Sequence, residues 1–149
     1  MTDQWDTQPE PEPEPEPDDH ETAYGLLERG RALIARRHHA QAAVVLARAA
    51  RMEPGKGSIL EDLGRSRFNA GQHEAAREAF AALVEADPTS HYGHFALGRS
   101  LVHLGRSDEA WTHLRLAVAL EPGSTLYRGA LARVPRPERS MPHDARVAG

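Results

Sequence analysis

The sequence has no cysteine and no long apolar run. Without cysteine the chain forms no disulfide framework and no thiolate metal site, and its redox compartment is left open. No stretch of about 18 apolar residues occurs, and the N-terminal stretch lacks the basic and apolar regions of a secretory signal. We therefore expect a cytoplasmic protein that does not enter a membrane.

Lysine is almost absent, since Lys56 is the one lysine among the 18 basic residues. The basic residues are also unevenly placed. Residues 1–22 carry nine acidic and no basic side chains, which leaves 22 − 9 = 13 acidic against 18 basic residues in the remainder. The chain thus divides into an acidic start and a modestly basic body.

The acidic start is dominated by residues 9–19, which read PEPEPEPEPDD. Proline removes backbone donors, like charges repel, and no apolar surface is available to offset the entropy of ordering. We predict a disordered acidic tail over residues 1–21 with polyproline II character. A second disordered tail is predicted over residues 135–149.

Between the tails the sequence repeats with a period of 34 residues. Prolines recur at 88 − 54 = 34 and 122 − 88 = 34, and two further positions keep the same spacing. The repeating residues are Pro54, Pro88 and Pro122; Gly30, Gly64 and Gly98; and Ala42, Ala76 and Ala110. A fixed period of this length is typical of stacked supersecondary units.

Each unit predicts two helices joined by a turn. In the second unit apolar residues at helical spacing stop near Gly71, which suits a left-handed turn, and resume until Pro88 prevents continuation. A glycine inside a helix costs about 1 kcal/mol relative to alanine, so its recurrence needs a packing reason. We predict that Gly64 faces Ala76, and Gly98 faces Ala110, where the two helices cross.

These residues resemble the tetratricopeptide repeat family, whose helix-turn-helix units have small residues at the crossing and a terminal proline. The family's large second-helix position is matched by Phe80, with Leu46 and Leu114 in the other units. The resemblance implies an all-α, right-handed superhelical α-solenoid over residues 22–134. Its repeats would span 23–56, 57–90 and 91–124, followed by a capping helix over 125–134.

Three arginines depart from the family pattern. Arg29 stands where the other units have leucine, Arg37 replaces the turn glycine, and Arg67 is in phase with leucines. We expect Arg29 to be tolerated on an exposed edge helix and Arg67 to extend its charge from the margin of its hairpin.

No motif predicts catalysis, nucleotide binding or a cofactor. The HExxH spacing, a Walker-type loop and GxGxxG are all missing, and the histidines lack a third ligand for zinc. Ser107 with His103 or His113 is not interpreted as a catalytic set, because Ser107 is expected to be a helix N-cap. The chain is therefore expected not to be an enzyme, and to hold no metal.

Four arginines, which we call the arginine ladder, recur at the 34-residue spacing: Arg31, Arg65, Arg99 and Arg133. In the resembled family, first helices line a concave groove, and this phase points into it. The same face is predicted to carry further binding residues: Tyr24, Leu27, Phe68, Asn69, Tyr92, Phe95 and His103. The alternative is that duplication copied one arginine without functional meaning.

The resemblance implies a protein-interaction adaptor that binds a protein or peptide partner in its groove. Guanidinium groups pair with carboxylates, so an acidic partner is expected. The family's chaperone-tail clamp is not matched, because Leu27 occupies the phase of its lysine and Arg31 that of its asparagine. Single-stranded nucleic acid is a disfavoured alternative, and a self-associating module is another, although a monomer is expected.

Two interpretations of the acidic tail remain open. The tail can simply keep the protein soluble, as charged proline-rich termini commonly do. It can also fold back on the arginine ladder as an intramolecular ligand, because tethering raises its effective concentration.

Overall fold

The computed structural model describes residues 21–139, and within this range it is all-helical. Its helices are α1 Ala23–Ala35, α2 His39–Met52, α3 Gly57–Asn69, α4 His73–Ala86, α5 His91–His103, α6 Ser107–Leu120 and α7 Thr125–Ala132. None of these helices is long and apolar enough to cross a membrane. Most of the two predicted disordered tails lies outside the described residues, so that prediction stays untested.

The helices form three successive hairpins followed by one further helix. α1 packs on α2, α3 on α4 and α5 on α6, and each hairpin contacts the next through α2 with α3 and α4 with α5. The first helices start at residues 23, 57 and 91, with 57 − 23 = 34 and 91 − 57 = 34. This arrangement confirms the predicted all-α solenoid.

Each hairpin crosses where a glycine of the first helix meets a large side chain of the second. A Cβ atom on Gly64 would lie 2.5 Å from Cε1 of Phe80, and one on Gly98 would lie 2.7 Å from Leu114. Gly30 is equally close to Leu46. The atoms nearest to Gly64 therefore belong to Phe80, while its predicted proximity to Ala76 stays a prediction.

The missing side chain of each glycine leaves room for a large side chain of the second helix. Phe80 and Leu114 are almost fully buried against their glycines. The predicted proximity of Gly98 and Ala110 is observed, because a Cβ atom added to Gly98 would lie 3.3 Å from the carbonyl oxygen of Ala110.

Two of the departing arginines occupy the places expected of them. Arg67 is half-buried and its Nη1 donates a hydrogen bond to the carbonyl oxygen of Ala75, 3.1 Å away. Burial lowers the pKa of Arg67. Arg29 is exposed on α1 and pairs with Glu21. Neither arginine leaves its charge in the apolar core.

The last helix, α7, closes the end of the third hairpin. Its Tyr127 is 6% exposed, stacks on Phe95 at 4.7 Å between ring centroids, and shares a 2.8 Å hydrogen bond with Nδ1 of His91. A solenoid needs such a covering element because each unit buries its apolar face only against a neighbour. α7 therefore covers apolar surface that α5 and α6 would otherwise expose.

The turns inside the hairpins share a left-handed residue. Gly71 and Gly105 have φ values of 79° and 73°, and Arg37 takes the same conformation with φ 61°. A residue with a Cβ is strained there.

The start of α6 differs from its prediction. The helix begins with Ser107, but the N-cap is Arg106 and makes no side-chain cap bond, so the N-cap prediction for Ser107 was wrong.

The crossing contact predicts the effect of adding one methyl group at Gly64. Gly64→Ala should lower the free energy of unfolding by about 1–3 kcal/mol, because its Cβ would overlap the Phe80 ring. Urea unfolding followed by circular dichroism measures the change. Gly129→Ala in α7 is the matched control: no atom lies within 4 Å of its Cβ position, so this variant should be stabilised by up to about 1 kcal/mol. Equal effects at both positions would contradict the assigned crossing.

The strained turn predicts a stabilising substitution. Arg37→Gly should raise the free energy of unfolding by about 0.5–1 kcal/mol, because relief of left-handed strain exceeds the entropic cost of glycine. The same urea experiment tests it. Arg36→Gly, one residue earlier at φ −88°, has no strain to relieve and should be neutral or destabilising. A loss of stability in Arg37→Gly would show that the turn is not strained.

Candidate functional site: an aromatic and arginine-lined groove

Three members of the arginine ladder lie on successive first helices. Arg31 is on α1, Arg65 on α3 and Arg99 on α5, and all three are exposed. Arg133 lies just beyond α7, as its C-cap, and is also exposed. The 34-residue spacing therefore places one arginine on each first helix of the three hairpins.

A pocket of about 240 Å³ lies between α3 and α5, with one residue from α4. It is lined by Arg65, Phe68, Asn69, Phe80, Tyr92, Phe95, Ala96 and Arg99. Six of these residues were predicted from the sequence to share a binding face: Arg65, Phe68, Asn69, Tyr92, Phe95 and Arg99. The structure brings them together, and it adds Phe80 and Ala96.

Arg99 is held by aromatic rings instead of by an acid. Its guanidinium carbon lies 4.9 Å from the ring centroid of Phe68 and 5.8 Å from that of Phe95. In residues 21–139 no carboxylate oxygen lies within 4.0 Å of its nitrogens. A stacked guanidinium keeps its hydrogen-bonding edges available to another group.

Tyr92 is a pocket residue whose side chain is half-buried. Burial raises the pKa of Tyr92 to about 12, although the positive charges of Arg65 and Arg99 oppose that rise. Its ring lies edge-on to Phe80 with centroids 6.3 Å apart. Tyr92 thus contributes a half-buried aromatic ring to the pocket wall.

Asp62 on α3 is a residue that the sequence interpretation missed. Nε of Arg31 donates to its Oδ2 at 2.8 Å, and Nη1 of Arg65 lies 3.8 Å from its Oδ1. The Asp62 side chain is 10% exposed. The hydrogen bond to Asp62 raises the pKa of Arg31. Two members of the arginine ladder thus already contact a carboxylate of the chain itself.

The sequence does contain a signal for the role of Asp62, which is the type of residue three positions before each arginine of the ladder. These positions hold Glu28, Asp62, Ala96 and Ala130. Residues three apart on a helix are neighbours, so an acid there can pair with the arginine. The sequence therefore distinguishes the first two arginines from the last two.

The tetratricopeptide repeat family pattern matches residues 27–91 and, overlapping them, residues 61–125. The two matches together span most of the helical region. The chain belongs to the tetratricopeptide repeat family. Members of this family are protein-binding modules rather than enzymes, which agrees with the expectation that the chain is not an enzyme. No curated protein matches it.

Solved structures of tetratricopeptide proteins share the fold at low sequence identity. The first TPR of Spaghetti (RPAP3) bound to an HSP90 peptide, SRMEEVD, has a TM-score of 0.71 and 15% identity, covering 74% of this chain and 88% of that one. The Sgt2 TPR domain from Aspergillus fumigatus has a TM-score of 0.68 and 20% identity, covering 74% of each chain. YrrB, a TPR protein with an unusual peptide-binding site, has a TM-score of 0.71 and 21% identity, covering 75% of this chain and 58% of its own.

Not every predicted site residue of this tetratricopeptide domain reaches the pocket. Leu27 is 5% exposed and belongs to the first core cluster, so its prediction as a groove residue was wrong. The reason is that its position on α1 packs toward the rest of the solenoid. Tyr24 is 71% exposed but does not line the pocket, since it lies on α1 and the pocket lies between α3 and α5.

His103 lies beside the pocket in a ring cluster. It stacks on His73 with centroids 4.3 Å apart and meets Phe68 edge-on at 5.0 Å. Burial, His73 and Arg99 lower the pKa of His103. Within residues 21–139 no group of three potential metal ligands occurs, so the histidines give no metal site there.

The end of the acidic tail that the structure describes makes no ion pair with the arginine ladder. Glu21 is its last residue and the only one that the structure describes, and its carboxylate pairs with Arg29 and Arg48. Neither partner belongs to the ladder. Docking of the tail on the arginine ladder concerns residues outside the described range, so both interpretations of the tail stay open.

A histidine pair joins α5 to α6 outside the groove. Nε2 of His94 lies 2.8 Å from the carbonyl oxygen of Pro88, and its Nδ1 lies 3.1 Å from Nδ1 of His113. Since His94 donates to the carbonyl in its neutral form, its Nδ1 accepts from His113. Burial and the neighbouring His94 lower the pKa of His113, while Glu109 opposes the change.

The lowered pKa of His113 predicts how stability depends on pH. Its folded pKa lies below the unfolded value of about 6.5, so the unfolded chain binds more protons and acid favours unfolding. The contribution is complete above about pH 6.5 and is lost as the pH falls through the folded pKa. His113→Gln should therefore lose less stability between about pH 7.5 and 5 than the wild type, as measured by urea unfolding. Equal slopes in His113→Gln and the wild type would contradict the assignment.

Proposed function

We propose that this tetratricopeptide domain is an adaptor that binds an acidic peptide segment of a partner protein in its concave groove. The observation that supports this most is Arg99. It lines the pocket, stacks on Phe68 and Phe95, and has no carboxylate partner in residues 21–139. An exposed guanidinium in this setting is suited to a carboxylate that arrives with a ligand.

The aromatic rings around Arg99 favour a hydrogen-bonded contact with a carboxylate. Stacking fixes the plane of the guanidinium, so less freedom is lost when its fork pairs with a carboxylate. The rings of Phe68, Tyr92 and Phe95 also offer apolar area beside the charge. Aromatic residues and arginine are the residue types enriched where binding energy is concentrated.

The charge pattern favours a peptide over single-stranded nucleic acid. A phosphate backbone needs a continuous basic track. In this groove Asp62 contacts both Arg31 and Arg65, and Glu28 lies 3.7 Å from Arg31. These carboxylates would repel a phosphate chain along the first two arginines.

RPAP3 provides a structural precedent for peptide binding by this fold, because its first TPR was solved with the acidic peptide SRMEEVD. The identity to this chain is only 15%, and the lysine and asparagine phases of the chaperone-tail clamp hold Leu27 and Arg31 here. We therefore propose an acidic peptide as the ligand class and a different contact set, centred on Arg99.

Arg99→Glu tests the groove directly. Binding of a panel of short fluorescein-labelled peptides, with different numbers of glutamates and with or without a phenylalanine, would be followed by fluorescence anisotropy. The best binder should lose at least about tenfold in affinity, equivalent to ~1.4 kcal/mol. The melting temperature should change little, because Arg99 is exposed.

Arg115→Glu is the matched control for this experiment. Arg115 also stacks on an aromatic ring, Trp111, at 5.2 Å, but it lies on α6, outside the groove. Its substitution removes the same kind of contact and changes the net charge equally. Equal losses in both variants would show a general charge effect, and no binding of any acidic peptide by the wild type would contradict the proposed function.

A further inference from the structure

Asp62 is a shielded carboxylate that lies beside two members of the arginine ladder. Its side chain is 10% exposed, Nε of Arg31 donates to it from α1, and Nη1 of Arg65 lies 3.8 Å away on its own helix. The Arg31 contact joins residues 31 positions apart in the sequence, across the boundary between two hairpins. A carboxylate of a bound ligand at this place would need the same two guanidinium groups.

The position is filled firmly enough to compete with a ligand. A shielded carboxylate in a charge-assisted hydrogen bond is costly to leave without its partner, so Arg31 does not readily exchange Asp62 for another acid. Glu28 is the acid at the equivalent position of the first hairpin. Its side chain is 52% exposed and its Oε1 lies 3.7 Å from Nη1 of Arg31, beyond hydrogen-bond distance, so this ion pair is weak. Of the two acids, Asp62 therefore makes the stronger ion pair with Arg31, and it also lies 3.8 Å from Arg65.

The third hairpin has no such acid. Ala96 stands at the position of Asp62, and both Ala96 and Arg99 line the aromatic pocket. A ligand that meets this face thus finds Arg31 hydrogen-bonded to Asp62 and Arg65 3.8 Å from the same carboxylate. At α5 it finds Arg99 beside apolar walls, with no carboxylate partner in residues 21–139.

We propose that Asp62 acts as a built-in carboxylate competitor that makes the groove select ligands with a large apolar or aromatic side chain beside a single carboxylate, and reject acidic tracts. The inference rests on the proposed function. It assigns to Asp62 the role of a specificity-determining residue and gives the partner segment a defined chemistry.

The size of the pocket agrees with one anchoring side chain. Its volume of about 240 Å³ is below the roughly 300–1,000 Å³ of sites that enclose a small molecule. Its walls include Phe68, Phe80, Tyr92 and Phe95, and aromatic rings pair favourably with one another. The ligand's carboxylate would then pair with Arg99 at the edge of the same pocket.

Two labelled peptides test the selection in the full chain. One has the sequence of residues 9–19, PEPEPEPEPDD, and represents an acidic tract. The other has one phenylalanine followed by one glutamate in a glycine and serine background. Their affinities would be measured by fluorescence anisotropy for the wild type, for Asp62→Asn and for Glu28→Gln, which removes the same charge at an exposed site of the same groove.

Asp62→Asn should raise the affinity for the acidic tract about tenfold, since Arg31 and Arg65 then become available, and should change the affinity for the phenylalanine peptide by less than about twofold. Glu28→Gln should change both affinities by less than about twofold. The gain for the acidic tract should shrink at about 0.5 M salt, where charge attraction is screened. An unchanged affinity for the tract, or an equal gain for both peptides, would overturn the role of Asp62.

Ala96→Asp keeps the proposal falsifiable if Asp62→Asn loses its fold. It places an acid three residues before Arg99, as Asp62 stands before Arg65, and should bind the phenylalanine peptide at least about tenfold more weakly than Ala96→Asn, which fills the same pocket position without the charge, while helicity at 222 nm is retained. Wild-type affinity in a folded Ala96→Asp protein would contradict the inference. Failure of the proposed function shows differently, because the wild type would then bind neither peptide or Arg99→Glu would have no effect.

Discussion

Each hairpin closes where a large side chain of its second helix lies against a glycine of its first. Gly64 with Phe80 shows most clearly what depends on this contact, because a single added methyl group would overlap the ring. Phe80 also lines the pocket between α3 and α5. The contact that sets the helix crossing is thus also part of the wall of the candidate site, so the packing of the second hairpin and the shape of the pocket cannot vary independently.

The face that carries Arg31, Arg65 and Arg99 is not uniformly basic. Asp62 contacts Arg31 and Arg65, while Arg99 rests on phenylalanine rings with no acid near it in the described part of the chain. A paired, shielded carboxylate contributes little net stability but is costly to separate from its partners. The groove therefore differs along its length, and its available positive charge lies beside its apolar pocket.

Most of the fold could be predicted from the sequence, and the exceptions have a common cause. The repeat period located the helices and turns, and even the departure at Arg37 takes the left-handed conformation of Gly71 and Gly105. The errors concerned which residues touch. Phe80, which was not predicted to contact Gly64, supplies its nearest atoms, and Leu27 lies in the core. Periodicity gives the face on which a residue lies, but not which neighbouring helix covers that face or how closely.

The sequence by itself determined the repeat length, the helical hairpins, the common position of Arg31, Arg65 and Arg99 on the first helices and most of the pocket's side chains, because these follow from spacing along one helix and its copies. Only the tertiary structure decided that Arg31 is bound to Asp62 across 31 residues, and that His91 meets Tyr127 across 36. Such contacts depend on how one unit stacks on the next, which the spacing of residues along a single helix does not give. A regular sequence pattern therefore specified the array, whereas the charge available to a partner depended on contacts between neighbouring units.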